Sequence, residues 1–310
     1  MLTIIPYSNL YANVWDNVVS RARSGNFLHF RPYMEYHAAR YIDASVLVER
    51  NGKVVAVFPA NLEGDSVISH GGLTYAGLIS TEGLRAEDTL LVFAQLRDYY
   101  HSIGVTHLLY KAVPLVFQSY PAQEDLYALY RLGGQLCRRD VSSVIQLNNR
   151  VGYFKGKKWS INRAQKRGVE VCEQADLKQF YELLCLVLSK FLTKPIHSFD
   201  EIQLLKSRFP AQIILYQAVL GEDLLAGALV YDFGHVVHAQ YLAASEAGKE
   251  LGALDYLISH LIENVFYEKR FFSFGISTEN SGKFLNSGLI AQKEGFGARA
   301  VVHDFYDLRF

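Results

Sequence analysis

The chain has 310 residues, half of them hydrophobic and a fifth charged, a length that suits two domains of roughly 150 residues each. Its 31 Lys and Arg balance 31 Asp and Glu. A neutral chain has no global attraction to nucleic acid or to an anionic membrane, so any polyanion must be met by a local patch.

In chain order, residues 13–23 and 32–41 read as helices joined by a loop with a short extended piece. Residues 45–50 and 53–58 are strand-forming runs around Asn51-Gly52, the signature of a hairpin with a two-residue type I′ turn. A further turn at Glu63-Gly-Asp65 leads to a third strand, 66–69. The next loop, 70–85, carries Gly71, Gly72, Gly77 and Gly83, and its Leu73, Tyr75, Leu78 and Ile79 argue for an ordered, functional loop over a disordered one. Residues 87–102 form an amphipathic helix, 105–111 a strand, 121–132 a helix and 141–147 a strand.

The second half opens with residues 150–167, where seven basic side chains (Arg150, Lys155, Lys157, Lys158, Arg163, Lys166, Arg167) stand without an acidic one. Helices come next at 176–192 and about 199–208, then strands at 213–220, 224–233 and 235–243. After Ser245, a capping residue type, Leu251, Leu254, Ile258, Leu261, Ile262 and Val265 recur at spacings of three and four, which predicts one long core-facing helix over 249–269. A strand at 271–277 puts Phe272, Phe274 and Ile276 on one face and Ser273, Gly275 and Ser277 on the other. Helix 282–293 and strand 300–308 complete the chain.

Each half thus reads as three strands, helix, strand, helix, strand. That is a duplicated α/β (α+β) fold, each copy a mixed, mostly antiparallel sheet flanked by helices, with the halves divided at 1–148 and 149–310. The bare face of strand 271–277 either lets a helix pack closely or lets a ligand approach the backbone, and the polar Ser277-Thr-Glu-Asn280 at its carboxyl end leans toward a ligand.

This element order, with Ser69-His-Gly-Gly-Leu-Thr-Tyr-Ala-Gly-Leu78, Trp159-Ser-Ile-Asn-Arg-Ala-Gln-Lys-Arg-Gly168, Phe274-Gly-Ile-Ser-Thr-Glu279, Leu285-Asn286 and Lys293-Glu-Gly-Phe-Gly297, resembles the GNAT/Fem-like acyltransferases of bacterial surface-polysaccharide and cell-wall synthesis. The resemblance spans nearly the whole chain and implies two tandem GNAT-like domains. It further implies an N-acyltransferase that moves an acetyl or longer acyl group from acyl-CoA, acetyl-CoA first, to the amine of an envelope precursor such as a nucleotide-linked or lipid-linked amino sugar. A Fem-type enzyme taking an aminoacyl group from tRNA is the alternative, and a silent module that binds carbohydrate or phosphate is the reading from another class.

In the family, a glycine-rich turn between the fourth strand and the long helix holds the pyrophosphate of CoA. The corresponding Gly248, Lys249 and Gly252 are the donor-binding candidates, but Ala247 replaces the expected Gln or Arg and Glu250 stands where the first glycine belongs. A carboxylate in the first helical turn competes with phosphate for the same N–H groups.

Acyl transfer to an amine needs a base, donors for the oxyanion and an acid for the leaving group. Glu279 is the first candidate for base or amine-orienting group, or else it caps the next helix. Lys293 would neutralise an oxyanion or bind phosphate, or else meet a helix dipole. Tyr241 is a candidate general acid, and His238 shares the face of the same strand with Gln240. His70 and Tyr75 are candidate acceptor contacts, with Ser277 and Asn286 beside the proposed base. Arg163, Lys166 and Arg167 lie at helical spacing as candidates for a phosphate-bearing ligand, or as a solvated basic face.

No metal is expected, because no ligand spacing appears. No DNA partner is expected either, for lack of any reading motif. Three widely spaced cysteines argue against a disulfide framework, with Cys185 read as a buried inert thiol. The longest apolar run, 224–231, is far below the roughly 18 residues of a membrane span, and residues 1–6 lack an export signal. The expected location is cytoplasmic, with association at the inner face of the membrane left open.

Overall fold

The computed structural model describes residues 2–173 and 176–310; Met1, where the reading for an export signal begins, lies outside them. The chain forms two compact units, one made of residues up to Asp140 together with Val302–Phe310, the other of Val141–Val301. These units do not coincide with the sequence halves 1–148 and 149–310, because the last strand returns to the first unit and pairs there with the strand at His107–Lys111.

The first unit runs β1 (Leu2–Pro6), α1 (Ala12–Arg21), α2 (Arg31–Met34), β2 (Ile42–Asp43), β3 (Val46–Arg50), β4 (Lys53–Phe58), β5 (Asn61–Glu63), β6 (Ser66–Ile68), β7 (Ile79–Ser80), α3 (Ala86–Ser102), β8 (His107–Lys111), α4 (Glu124–Arg131) and the start of β9 (Gln135–Gln146). Asn51 and Gly52 take φ of 52° and 79°, the pair of positive values that a type I′ turn requires, so β3 and β4 form the expected hairpin. The helix expected over 32–41 is broken: α2 ends at Met34, and a 3₁₀ stretch with a kink at His37 succeeds it. Within this unit β1-β3-β4-β7 form one sheet. A second sheet contains a parallel pair, β6 with β8, joined through α3.

The second unit continues from β9 through α5 (Lys155–Lys166), β10 (Glu170–Glu173), α6 (Leu177–Ser189), α7 (Phe199–Arg208), β11 (Ile213–Leu220), β12 (Asp223–Asp232), β13 (Val236–Ala244), α8 (Glu246–Leu251), α9 (Ala253–His260), β14 (Phe271–Ile276), β15 (Thr278–Glu279), β16 (Phe284–Leu285) and α10 (Ser287–Glu294) to β17 (Arg299–Arg309). Its sheet has the order β10-β11-β12-β13-β14-β9, again with a parallel pair, β13 with β14. Small residues on β12 let helices approach both faces. Ala226, Ala228 and Val230 share a core with Leu257, Ile258, Leu261 and Ile262 of the helical segment, while a Cβ at Gly227 would come 2.3 Å from Phe180 of α6.

Two helices differ from expectation here. The long helix over 249–269 starts earlier, at Glu246, and breaks at Gly252, whose φ of +78° is left-handed and whose Cβ would lie 2.7 Å from the Ser160 carbonyl oxygen of α5. After α9 it widens into a π-helical turn, Leu261–Val265. The helix expected from 282 begins only at Ser287, where the Asn286 side chain caps it; before it, Asn280, Ser281 and Gly282 all have positive φ and reverse the chain between β15 and β16.

Candidate active site

β13 and β14 run parallel through Val236↔Phe271, Val237↔Phe272 and His238↔Ser273, and there their register ends although β13 continues to Ala244. The cause lies in β14. Gly275 takes φ +74°, a conformation that side-chain-bearing residues rarely adopt, and the pairing with β9 slips between Ser273 and Ile276. Such an irregularity bends a strand and re-aims the side chains beyond the bend. His238 Nδ1 and Ser273 Oγ, 3.0 Å apart, close the last paired step, and a Cβ at Gly275 would sit 3.1 Å from His238 Cε1. Past this point the backbone of β13 offers an edge to which an extended ligand can hydrogen-bond.

The same bend corrects the expected faces of this strand. Phe272 and Phe274 are buried as expected, but Ile276 is 36% exposed, and the bare face is closed, with Ser273 and Ser277 at 0% and 1%. Lys293 closes it. Reaching back from the end of α10, its Nζ donates to the carbonyl oxygens of Gly275 (2.9 Å) and Ile276 (2.7 Å) and to Ser277 Oγ (2.9 Å). An ammonium has three N–H donors, and all three are engaged, so Lys293 is a clamp on the strand end and not a free donor for an oxyanion or a phosphate. Burial lowers its pKa to about 8. Ser277 is likewise occupied: its N–H donates to the Val141 carbonyl and its own carbonyl accepts from Asn286 N.

Directly beyond the clamp, Glu279 is exposed and its Oε1 accepts from Asn286 Nδ2 at 2.8 Å, while Asn286 Oδ1 accepts from Leu289 N at 2.9 Å. Asn286 is therefore the helix cap, and Glu279 fixes the cap's orientation instead of capping α10 itself. Tyr241, on β13, is tied to a residue that sequence reasoning passes over. His197 Nδ1 lies 2.7 Å from the Tyr241 hydroxyl, to which the His197 N–H also donates. His197 directly precedes Ser198, whose capping box with Glu201 is legible locally, whereas a partner 44 residues away leaves no local signal. Burial raises the Tyr241 pKa, which leaves its proton on the hydroxyl.

The donor-binding candidates form a tight turn. Ser245 Oγ accepts from Gly248 N, and a Cβ at Gly248 would lie 2.0 Å from the Leu225 carbonyl oxygen, so this glycine is needed to seat α8 on β12. The carboxylate in the first turn of α8 is Glu246, not Glu250, and it pairs with both Lys190 and Lys249. In the basic block, Arg163 lies 4.3 Å over the Trp159 ring, Lys157 pairs with Asp255 and Arg150 with Glu263. Lys166 and Arg167 face solvent.

The acceptor candidates of the first unit are interior. His70 and Tyr75 are 6% and 3% exposed, which leaves neither on the open surface of its loop, and burial lowers the His70 pKa to about 3. Their loop is held by Lys111, whose Nζ donates to the carbonyls of His70 (2.9 Å), Gly71 (3.4 Å) and Leu73. Among the described residues no group of three or more His, Cys, Asp or Glu is arranged to hold a metal ion, and no helix is long and apolar enough to cross a membrane. The three cysteines are free, and Cys185 is half-buried instead of buried.

No family model matches the sequence, and no curated protein does. Solved structures do. FemX aligns with a TM-score of 0.69 at 12% identity, covering 99% of this chain and 97% of its own. The C-terminal domain of a protein described as a lysylphosphatidylglycerol synthetase, from Agrobacterium fabrum, aligns at 0.61 and 15%, covering 94% and 92%. A tandem GNAT protein from the clavulanic acid biosynthesis pathway aligns at 0.52 and 13%, covering 100% and 98%. The chain shares the fold of FemX and of this tandem GNAT protein.

Proposed function

We propose that the chain transfers an acyl or aminoacyl group to the amine of an envelope precursor, an amino sugar in nucleotide-linked or lipid-linked form being the acceptor class. The observation that carries this reading is the parting of β13 and β14 at His238 and Ser273, which leaves a strand edge for an extended donor within a few residues of the exposed Glu279 carboxylate. The neutral amine attacks the donor carbonyl carbon, the C–S or C–O bond to the carrier breaks, and an amide forms while the amine gives up a proton. Glu279 receives that proton in this scheme. Lys293 is a positioning residue that holds the turn carrying Glu279, and Tyr241, with His197, stands at the β13 edge where the leaving group takes a proton.

A Fem-type donor, aminoacyl-tRNA, is favoured over acyl-CoA by one feature. The first turn of α8, where a pyrophosphate would sit, already holds the Glu246 carboxylate, and Gly248 N is satisfied by Ser245 Oγ. The exposed cations of α5 suit a phosphate-bearing carrier in either case.

The test is amide formation from radiolabelled acyl-CoA or aminoacyl-tRNA with amino-sugar acceptors, paired with thermal shift by each donor. Glu279→Gln should lower kcat by roughly a hundredfold or more, the range of a lost general base, with the melting temperature unchanged. Full turnover in Glu279→Gln, or a chain that neither binds nor uses any donor, would defeat the reading, the second result in favour of a silent binding module.

A further inference from the structure

The end of α6 and the connection from it to α7 present apolar side chains that the transfer chemistry does not use. Leu186 is 62% exposed, Phe191 74%, Leu192 99% and Ile196 78%. Leu192 occupies the position after the helix end where chains normally place glycine. It holds a φ of +55°, and its N–H donates to the Ser189 carbonyl. A leucine there accepts backbone strain and gains no burial, so the fold holds an apolar side chain out into solvent.

Charge is one-sided within the tip itself, while Glu182 and Asp200 flank it in sequence. Residues 183–199 contain Lys190, Lys194 and His197 but no Asp or Glu. Lys190 is paired with Glu246, and Lys194 is exposed. The base of the loop is fixed, with His197 buried to 5% exposure and held by Tyr241.

We infer that this loop is a bilayer-docking element: Phe191, Leu192 and Ile196 enter the interfacial region of an anionic membrane while Lys194 meets the lipid phosphates. A convex apolar tip beside a cation is the pattern of interfacial anchoring. Four projecting side chains are too small a patch for a protein interface, which needs about 800 Å² per partner. Because His197 joins the loop to β13, docking would bring the strand edge of the proposed active site to the membrane surface, where lipid-linked acceptors lie. Membrane binding itself needs no turnover, so it is tested apart from the transfer reaction.

The experiment is flotation of the full chain with vesicles of phosphatidylcholine plus phosphatidylglycerol, and with phosphatidylcholine alone. The native chain should float with the mixed vesicles. Replacing Phe191, Leu192 and Ile196 together by serine should weaken binding by roughly tenfold or more, and Lys194→Glu should reduce the preference for anionic vesicles. Leu192→Gly gives a readout that a merely structural role would not move, since it should weaken vesicle binding while thermal stability holds or rises as the left-handed strain is relieved. The inference is overturned by absence of binding to either vesicle, by unchanged binding of the triple serine variant, or by a dimer in sedimentation that this variant dissolves, which would make a second copy the occupant of the tip.

Discussion

Lys111 in the first unit and Lys293 in the second are both buried, at 7% and 6% exposure, and both end on main-chain carbonyl oxygens next to a turn. Among the described residues, neither is held by a carboxylate. Their surroundings differ. The turn that Lys111 holds carries Leu73, Tyr75 and Ala76, all buried, and is closed further by Tyr110, whose hydroxyl accepts from Leu78 N and donates to Asp125. The turn that Lys293 holds leads outward, to Ile276 at 36% exposure and to the exposed Glu279. The same clamp locks a loop shut in one unit and aims a polar strand end in the other, which is why the second unit carries the proposed chemistry.

The most severe break of this comparison is removal of each ammonium. Lys111→Met strands carbonyls in a closed interior, and its unfolding free energy in urea should fall by about 2–4 kcal/mol, since an unsatisfied buried polar group costs about 1–3 kcal/mol and relief of the desolvated charge offsets part of the sum. Lys293→Met should cost about 1–2 kcal/mol, because the Gly275 and Ile276 carbonyls lie nearer water. The reverse order would mean that the first-unit loop is the more open of the two.

Smaller and more diagnostic is the pH dependence. In the folded chain Lys111 loses its proton at about 7 and Lys293 at about 8, both chiefly through burial, whereas an unfolded lysine keeps it to about 10.4. Between those limits the unfolded state binds more protons, so raising pH stabilises the fold, and the penalty is full only below the folded values. Denaturation midpoints should therefore rise as pH climbs from neutrality toward about 8.5, below the range where tyrosines whose pKa burial raises, Tyr75, Tyr100 and Tyr110 among them, give the opposite slope. The rise should flatten in either methionine variant, starting at lower pH for Lys111→Met. Midpoints that fall over this window in the native chain would show that neither lysine sheds its charge.

How much the residues disclose on their own depends on the range of the forces involved. The Asn51-Gly52 hairpin is set by neighbours in sequence and is legible. The parallel pairs β6 with β8 and β13 with β14 are implied by element order. The short strands β1, β2, β5, β7 and β10 escape a sequence reading, because partners far away in the chain define them. The break at Gly252 is hidden by an apolar spacing that runs through it unbroken; only the approach of the Ser160 carbonyl shows why the helix stops. Lys293 stands out in the sequence, but as a donor to an oxyanion or phosphate or as a partner of the helix dipole, since nothing local reveals carbonyl partners 17 and 18 residues back.

The gentlest test separates aim from stability in the second unit. Asn286 does two things at once, capping α10 through Oδ1 and holding Glu279 through Nδ2. Asn286→Asp retains the cap oxygen but loses the amide and sets a second carboxylate against Glu279, whereas Asn286→Ser retains a capping oxygen without that repulsion. Both should change the unfolding free energy by less than about 1 kcal/mol, within the spread among good capping residues. If Glu279 is the base and Asn286 aims it, both variants should lose turnover, and the aspartate variant should shift the acid limb of its pH–rate profile upward, because a neighbouring negative charge raises a carboxyl pKa. An unshifted profile with full turnover in the aspartate variant would leave Glu279 as part of the helix cap alone.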